Sequence, residues 1–162
     1  MFHKPFWTFL LISVLLALYA FRARKFKLID VQVIFMVIAV SMSLDMLLCK
    51  QYNLYNYVNE TNKGWYSFWA NFVMVPSLAI VYIKFIPSRP GKLSLYILLW
   101  SIGCTLLELF VLKPAEIIFY HGWNPFPHSF IGYVVVLIWE CVYYRLLEKH
   151  SIKSRRQQTD TN

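Results

Sequence analysis

Residues 28–49 read LIDVQVIFMVIAVSMSLDMLLC, with charge only at Asp30 and Asp45 near the two ends. As a helix rising 1.5 Å per residue the stretch is about 33 Å long. A bilayer's hydrocarbon core is ~30 Å thick. Its apolar residues follow neither strict alternation nor a single helical stripe, and only lipid accepts apolar side chains on every face. Four further stretches of the same kind lie at 5–21, 66–86, 93–112 and 130–147. They are continuously apolar, which speaks for helices over the alternating strands of a membrane barrel. A helix also satisfies its own backbone hydrogen bonds where no water is present. The expected fold is all-α: an integral membrane bundle of five transmembrane helices filling a single domain, 1–148. Residues 149–162 read as a basic, disordered cytoplasmic tail.

The composition agrees, at 59% hydrophobic and 15% charged residues. A soluble domain carries about 25% charged residues. The net charge of +8 would suit nucleic acid, but its distribution does not. With the N-terminus outside, the inner segments hold 12 of the 16 Lys and Arg residues and the outer segments hold 4, namely Lys4, Lys50, Lys63 and Lys113. The positive-inside rule accounts for this asymmetry. It predicts a multi-pass plasma-membrane protein with its N-terminus outside and its C-terminus cytoplasmic. Its expected partners are the bilayer and the anionic lipid head groups of the inner face, with no role for nucleic acid. The stronger basic cluster, Arg22, Arg24, Lys25 and Lys27, follows the first span. A cleaved signal would have its charge before the span.

Working outward from residues 28–49, a second copy of their C-terminal end emerges. Leu44–Lys50 reads LDMLLCK and Leu107–Lys113 reads LELFVLK. Each has an acid, four apolar residues and a lysine. Each is followed by a Tyr-containing outer loop with a Gly-Trp pair, Gly64-Trp65 or Gly122-Trp123, and then by Ser67-Phe68 or Ser129-Phe130. Spans 2–3 and 4–5 therefore read as a tandem, parallel repeat of one two-helix hairpin.

Acids within spans are functional candidates by default, because lipid makes them costly. Asp45 and Glu108 lie about one turn below the outer surface. They either cap loop amides or pair with Lys50 and Lys113, or they share a proton or a cation across a pseudo-twofold axis. Glu140 lies near the midplane, with Ser41, Ser43, Ser77, Ser101 and Thr105 as expected partners. Asp30 suits an interfacial ion pair with the basic loop. Glu116, His121 and His128 form a candidate outer-face polar site, although no standard metal spacing is present. Trp7, Trp65, Trp69 and Trp123, with Tyr52, Tyr55, Tyr57, Tyr66 and Tyr120, read as an aromatic belt. Pro76 should kink the third span. Asn59-Glu60-Thr61 fits a glycosylation sequon. Cys49, Cys104 and Cys141 are widely spaced and read as small buried residues.

The paired acid–apolar–lysine ends and the Gly-Trp loops resemble a family of small multi-spanning membrane proteins of spore-forming Gram-positive bacteria. Asp45, Trp65, Tyr66, Ser67, Glu108 and Trp123 carry the likeness, over about residues 40–147. The second copy departs from it, with Asn124 and His128 near the place matched by Tyr66. The resemblance implies a membrane location and topology and no reaction. No phosphate loop, dinucleotide fingerprint, nucleophile elbow or zinc-protease motif occurs, and no cofactor or metal is expected. The reading is a non-enzymatic protein that binds or passes a small solute or ion, or serves a larger membrane complex, as a homo-oligomer or beside a membrane partner. The alternative is an enzyme of the outer leaflet working through its acids and histidines. The topology is tested by reporter fusions: a C-terminal fusion should be active only when the reporter works in the cytoplasm, and activity only outside would refute five spans.

Overall fold

A computed structural model describes residues 3–58 and 64–159. The sequon at 59–61 lies outside the described residues. The helices are α1 (Lys4–Ala23), α2 (Leu28–Asp45), α3 (Trp65–Trp69), α4 (Val75–Lys84), α5 (Pro90–Leu107) and α6 (Phe130–Thr159). Four π-helical turns join them into longer rods: Met46–Gln51 after α2, Ala70–Met74 between α3 and α4, Glu108–Leu112 after α5 and Pro125–Ser129 before α6. Five rods result that are long and apolar enough to cross a membrane: Lys4–Ala23, Leu28–Gln51, Trp65–Lys84, Pro90–Leu112 and Pro125–Ser151.

The rod Trp65–Lys84 lies at the centre, with 56% of its apolar window buried against 17–22% for the other four. α1 and α2 both pack on α4, α2 also packs on α6, and α5 packs on α6. The outer four rods keep large apolar side chains exposed, among them Leu15, Leu18, Phe35, Leu99, Phe110 and Val135. Lipid covers such a surface as well as protein would.

Pro76 acts as expected of a residue without an N–H, but the result is a wide turn. The π-helical turn Ala70–Met74 ends with the Val75 amide donating to the Ala70 carbonyl. Lengthening the turn absorbs the lost bond just ahead of the proline. α6 runs on to Thr159, because RLLEKHSIKSRRQQ contains strong helix formers and neither Gly nor Pro.

The connections after α2 and α5 each carry a short strand. β1 (Tyr55–Tyr57) and β2 (Ile118–Tyr120) pair antiparallel, with Tyr55 opposite Tyr120 and Tyr57 opposite Ile118. Two clusters form the core. Toward the α1–α2 connection, Ala17, Ala20, Val33 and Val37 meet Ile80, Tyr82 and Ile83. Toward the two strands, Phe6, Tyr66, Ala70 and Met74 meet Leu112 and Ile117.

Asp30 is paired, but the pair is buried and its partner is Lys84. The Lys84 Nζ is 2.5 Å from the Asp30 carboxylate, with side-chain exposures of 3% and 0%. The Lys84 ammonium also donates to the Lys25 carbonyl at 2.9 Å, and the Lys27 amide donates to Asp30 at 2.7 Å. This cluster fastens α4 to the α1–α2 connection. Removing one member of a buried pair leaves an uncompensated charge and costs about 3–5 kcal/mol. Lys84→Met should therefore lower the thermal midpoint of the solubilised protein sharply. Asp30→Asn/Lys84→Met should recover much of the loss, and equal midpoints for the single and double variants would contradict the pairing.

Candidate functional site

Asp45 ends α2, where the helix widens into the Met46–Gln51 turn. The chain then reverses through Asn53, whose φ of 49° is left-handed, a conformation Asn tolerates better than most residues. β1 follows and carries Tyr55 back over the helix end. The Tyr55 hydroxyl donates to Asp45 Oδ1 at 3.1 Å, and the Ser67 hydroxyl at the head of α3 donates to Oδ2. Asp45 is thus satisfied by two hydroxyls from two other elements.

Glu108 repeats the plan. It follows α5 at the start of another wide turn, and the chain reverses at Glu116, where φ is 56°. β2 brings Tyr120 back, and its hydroxyl donates to Glu108 Oε1. Ser129 donates to the same oxygen at 2.7 Å, and Tyr133 of α6 donates to Oε2 at 2.7 Å. The Trp123 indole N–H donates to Ser129 at 2.7 Å and fixes that hydroxyl's direction. The Leu54 carbonyl, at the start of the first strand, accepts from the amides of His121, Gly122 and Trp123. The two hairpin loops therefore hold each other.

Below this ladder a cavity of about 450 Å³ runs between α2 and α6. Tyr55, Tyr57, Ile118, Tyr120 and Trp123 roof it, and Val37, Val40, Val136 and Trp139 supply apolar wall. Glu108 and Glu140 both line it, whereas Asp45 lies behind Tyr55 and outside the lining. Glu140 is 4% exposed, and its Oε2 has no hydrogen-bond partner among the described residues. Four of the five hydroxyls expected around it, all but Ser77, are used elsewhere. Ser41 donates to the carbonyls of Ile38 and Asn71, Ser43 to Ala39, Ser101 to Ile97 and Thr105 to Ser101. In a helix these side chains fold back on the preceding turn, which leaves little reach for a neighbour.

The other expected groups fare differently. Lys50 and Lys113 form no ion pair with the acids among the described residues. The Lys113 ammonium instead lies 5.9 Å from the Tyr120 ring centre. The outer-face trio does not assemble. His121 pairs with Asn56 at 3.0 Å, His128 accepts the Asn124 amide at 3.1 Å, and Glu116 is exposed at its turn. No group of three His, Cys, Asp or Glu side chains able to hold a metal occurs among the described residues. None of the three cysteines is in a disulfide among the described residues, and the Cys49 thiol donates to Asn56 at 3.2 Å.

Tyr55, Tyr57 and Tyr120, read from the sequence as belt residues, are parts of the site. Tyr133 was missed altogether. The usable signal was the tyrosine repeated at a similar distance after each acid, with the serine 22 or 21 residues on. No family model, curated protein or solved structure matches the chain.

Burial raises the Tyr55, Tyr57 and Tyr120 phenols above their ordinary value. The Asp45 charge adds to this at Tyr55, those of both acids at Tyr57, and the bond to Glu108 at Tyr120. Protonation is thus favoured in the folded state. The resulting stability is fully present below the unfolded value near 10 and drains away as pH rises above it, since the unfolded chain releases these protons first. The midpoint should fall steeply above about pH 10. Tyr55→Phe/Tyr120→Phe should be less stable at neutral pH by about 1–3 kcal/mol per lost bond and lose stability less steeply in alkali. An unchanged alkaline slope would count against the hydroxyl–carboxylate contacts.

Proposed function

We propose that the chain is a non-enzymatic plasma-membrane protein that binds a small solute carrying one positive charge on an apolar body. Passage of the solute across the membrane would then require a second copy or a membrane partner, because five helices enclose little space. The observation that carries the reading is the unpartnered Glu140 oxygen in the cavity between α2 and α6. The two cavity carboxylates differ: three hydroxyls engage Glu108, and Glu140 keeps an acceptor open. A buried carboxylate is costly unless paired, and a cationic ligand would supply the pair. The volume of about 450 Å³ falls within the roughly 300–1,000 Å³ of small-molecule sites, and the valine and tryptophan walls suit an apolar body.

The bilayer placement, with the N-terminus outside, rests on the five apolar rods and the charge asymmetry. The two acid–hydroxyl–strand arrangements support the duplicated hairpin, related by an axis along the membrane normal. The enzyme reading through Asp45, Glu108 and His121 is less well supported. Hydroxyls occupy both acids, and His121 is held by Asn56 on the exposed face.

The test uses the full chain in lipid nanodiscs, titrated with phenethylammonium and with ethylbenzene, its closest uncharged counterpart, by calorimetry. Wild type should favour the amine. Glu140→Gln keeps size and hydrogen bonding, so it should keep the thermal midpoint while weakening amine binding at least about tenfold, or 1.4 kcal/mol, with little change for ethylbenzene. A Gln variant that binds the amine like wild type would overturn the proposal.

A further inference from the structure

A second cavity, of about 790 Å³, opens at the opposite end of the bundle, where the α1–α2 connection, the α4–α5 turn and α6 meet. Arg24, Lys25, Lys27, Lys84, Arg145 and Lys149 line it, against a single lining acid, Glu148. Two of these cations are compensated, Lys84 by Asp30 and Lys27 by Glu148 at 2.9 Å. Among the described residues the other four have no ion-pair partner. Arg145 is tethered across the mouth by a 3.2 Å bond to the Pro87 carbonyl. Like charges held around one concavity repel one another unless an anion is shared between them.

The cavity's surroundings indicate which anion. Ala23, Ile83, Ile86 and Pro87 form its apolar lining. Phe26, Leu28 and Leu146 stand exposed on the connection and helix that frame it, at 57%, 76% and 53%. A basic hollow beside exposed apolar side chains, at the level where the spans end, matches a molecule with a phosphate at one end and acyl chains at the other. We propose that this cavity binds the phosphate of an anionic phospholipid in the inner leaflet. Basic pockets between helices at that face are suited to such head groups. The inference does not depend on the ligand of the outer cavity.

The experiment compares thermal midpoints of the full chain in nanodiscs of phosphatidylcholine alone and with roughly a fifth phosphatidylglycerol. The anionic lipid should raise the wild-type midpoint. Lys25→Gln/Lys149→Gln should lose more than half of that rise, and Lys25→Arg/Lys149→Arg should keep it. The control is Arg89→Gln/Lys92→Gln, which removes the same charge from the adjoining turn, from residues outside the cavity lining, and should retain the rise. Equal losses in the two Gln variants would reduce the effect to general surface attraction and overturn the site, as would the absence of any rise. If inorganic phosphate added to the phosphatidylcholine discs gave the whole rise, the ligand would be a free anion and the lipid assignment would fall.

Discussion

Glu108 gathers hydroxyls from β2, from the turn before α6 and from α6 itself, in a setting with little water to compete for them. That constraint organises the end of the bundle that carries the two strands. Four of the five rods keep large apolar side chains exposed, and apolar contact is non-directional. Polar contacts therefore tie particular rods together. Glu108 joins the fourth rod to the fifth, and Asp45 joins the second to the third. The β1–β2 ladder then ties the two pairs together. One wide turn follows Asp45 directly, Met46–Gln51, and the other begins at Glu108 itself, Glu108–Leu112. Extra residues in a turn re-aim the chain leaving the helix, which lets a tyrosine ten or twelve residues later return to the same carboxylate.

The opposite end is held differently. There one ion pair, Asp30 with Lys84, is sealed from solvent and reinforced by the Lys25 carbonyl and the Lys27 amide. Asp45 and Glu108 accept bonds from neutral hydroxyls, and Asp30 meets an ammonium. The third rod takes part in both fastenings, through Ser67 at its head and Lys84 at its foot, which agrees with its central burial.

How much of this was legible depended on the kind of signal. The five rods could be read because lipid imposes a long apolar length on any spanning helix. Their ends shifted by a few residues where proline or a wide turn intervened. The acids were legible for the same reason: a charge in an apolar run stands out. Their partners were not. Tyr55 and Tyr120 look like interfacial tyrosines, since composition cannot tell a ring facing lipid from one whose hydroxyl turns inward. That choice is made by the strand register, a pairing between segments more than sixty residues apart. Ser41, Ser43, Ser101 and Thr105, expected near Glu140, bond instead to carbonyls of their own helices. Lys84 was read as one more basic residue of the inner face, and only the fold placed it against Asp30.

Glu140 stands apart from the other acids: Asp30 also leaves one oxygen, Oδ1, without a partner among the described residues, but its other oxygen is paired. Asp45 and Glu108 each accept bonds on both carboxylate oxygens from the protein's own hydroxyls, and Asp30 meets a lysine. With Glu148, which meets Lys27, four of the five acids within the rods are therefore tied to other elements of the chain. If the fifth served only to hold helices together, the same economy of contacts should apply to it, and a serine or tyrosine on α2 or α5 would bond to it. Instead α2 lines the cavity with Met36, Val37, Val40 and Leu44 and with Ser41, whose hydroxyl is spent on the Ile38 and Asn71 carbonyls, and Glu140 Oε2 is left without a partner among the described residues. A group so costly to bury and so poorly used by the fold is best explained by something the fold receives. This asymmetry between a saturated and an open carboxylate in one cavity is why Glu140, and not the more symmetrical Asp45 and Glu108, anchors the functional reading.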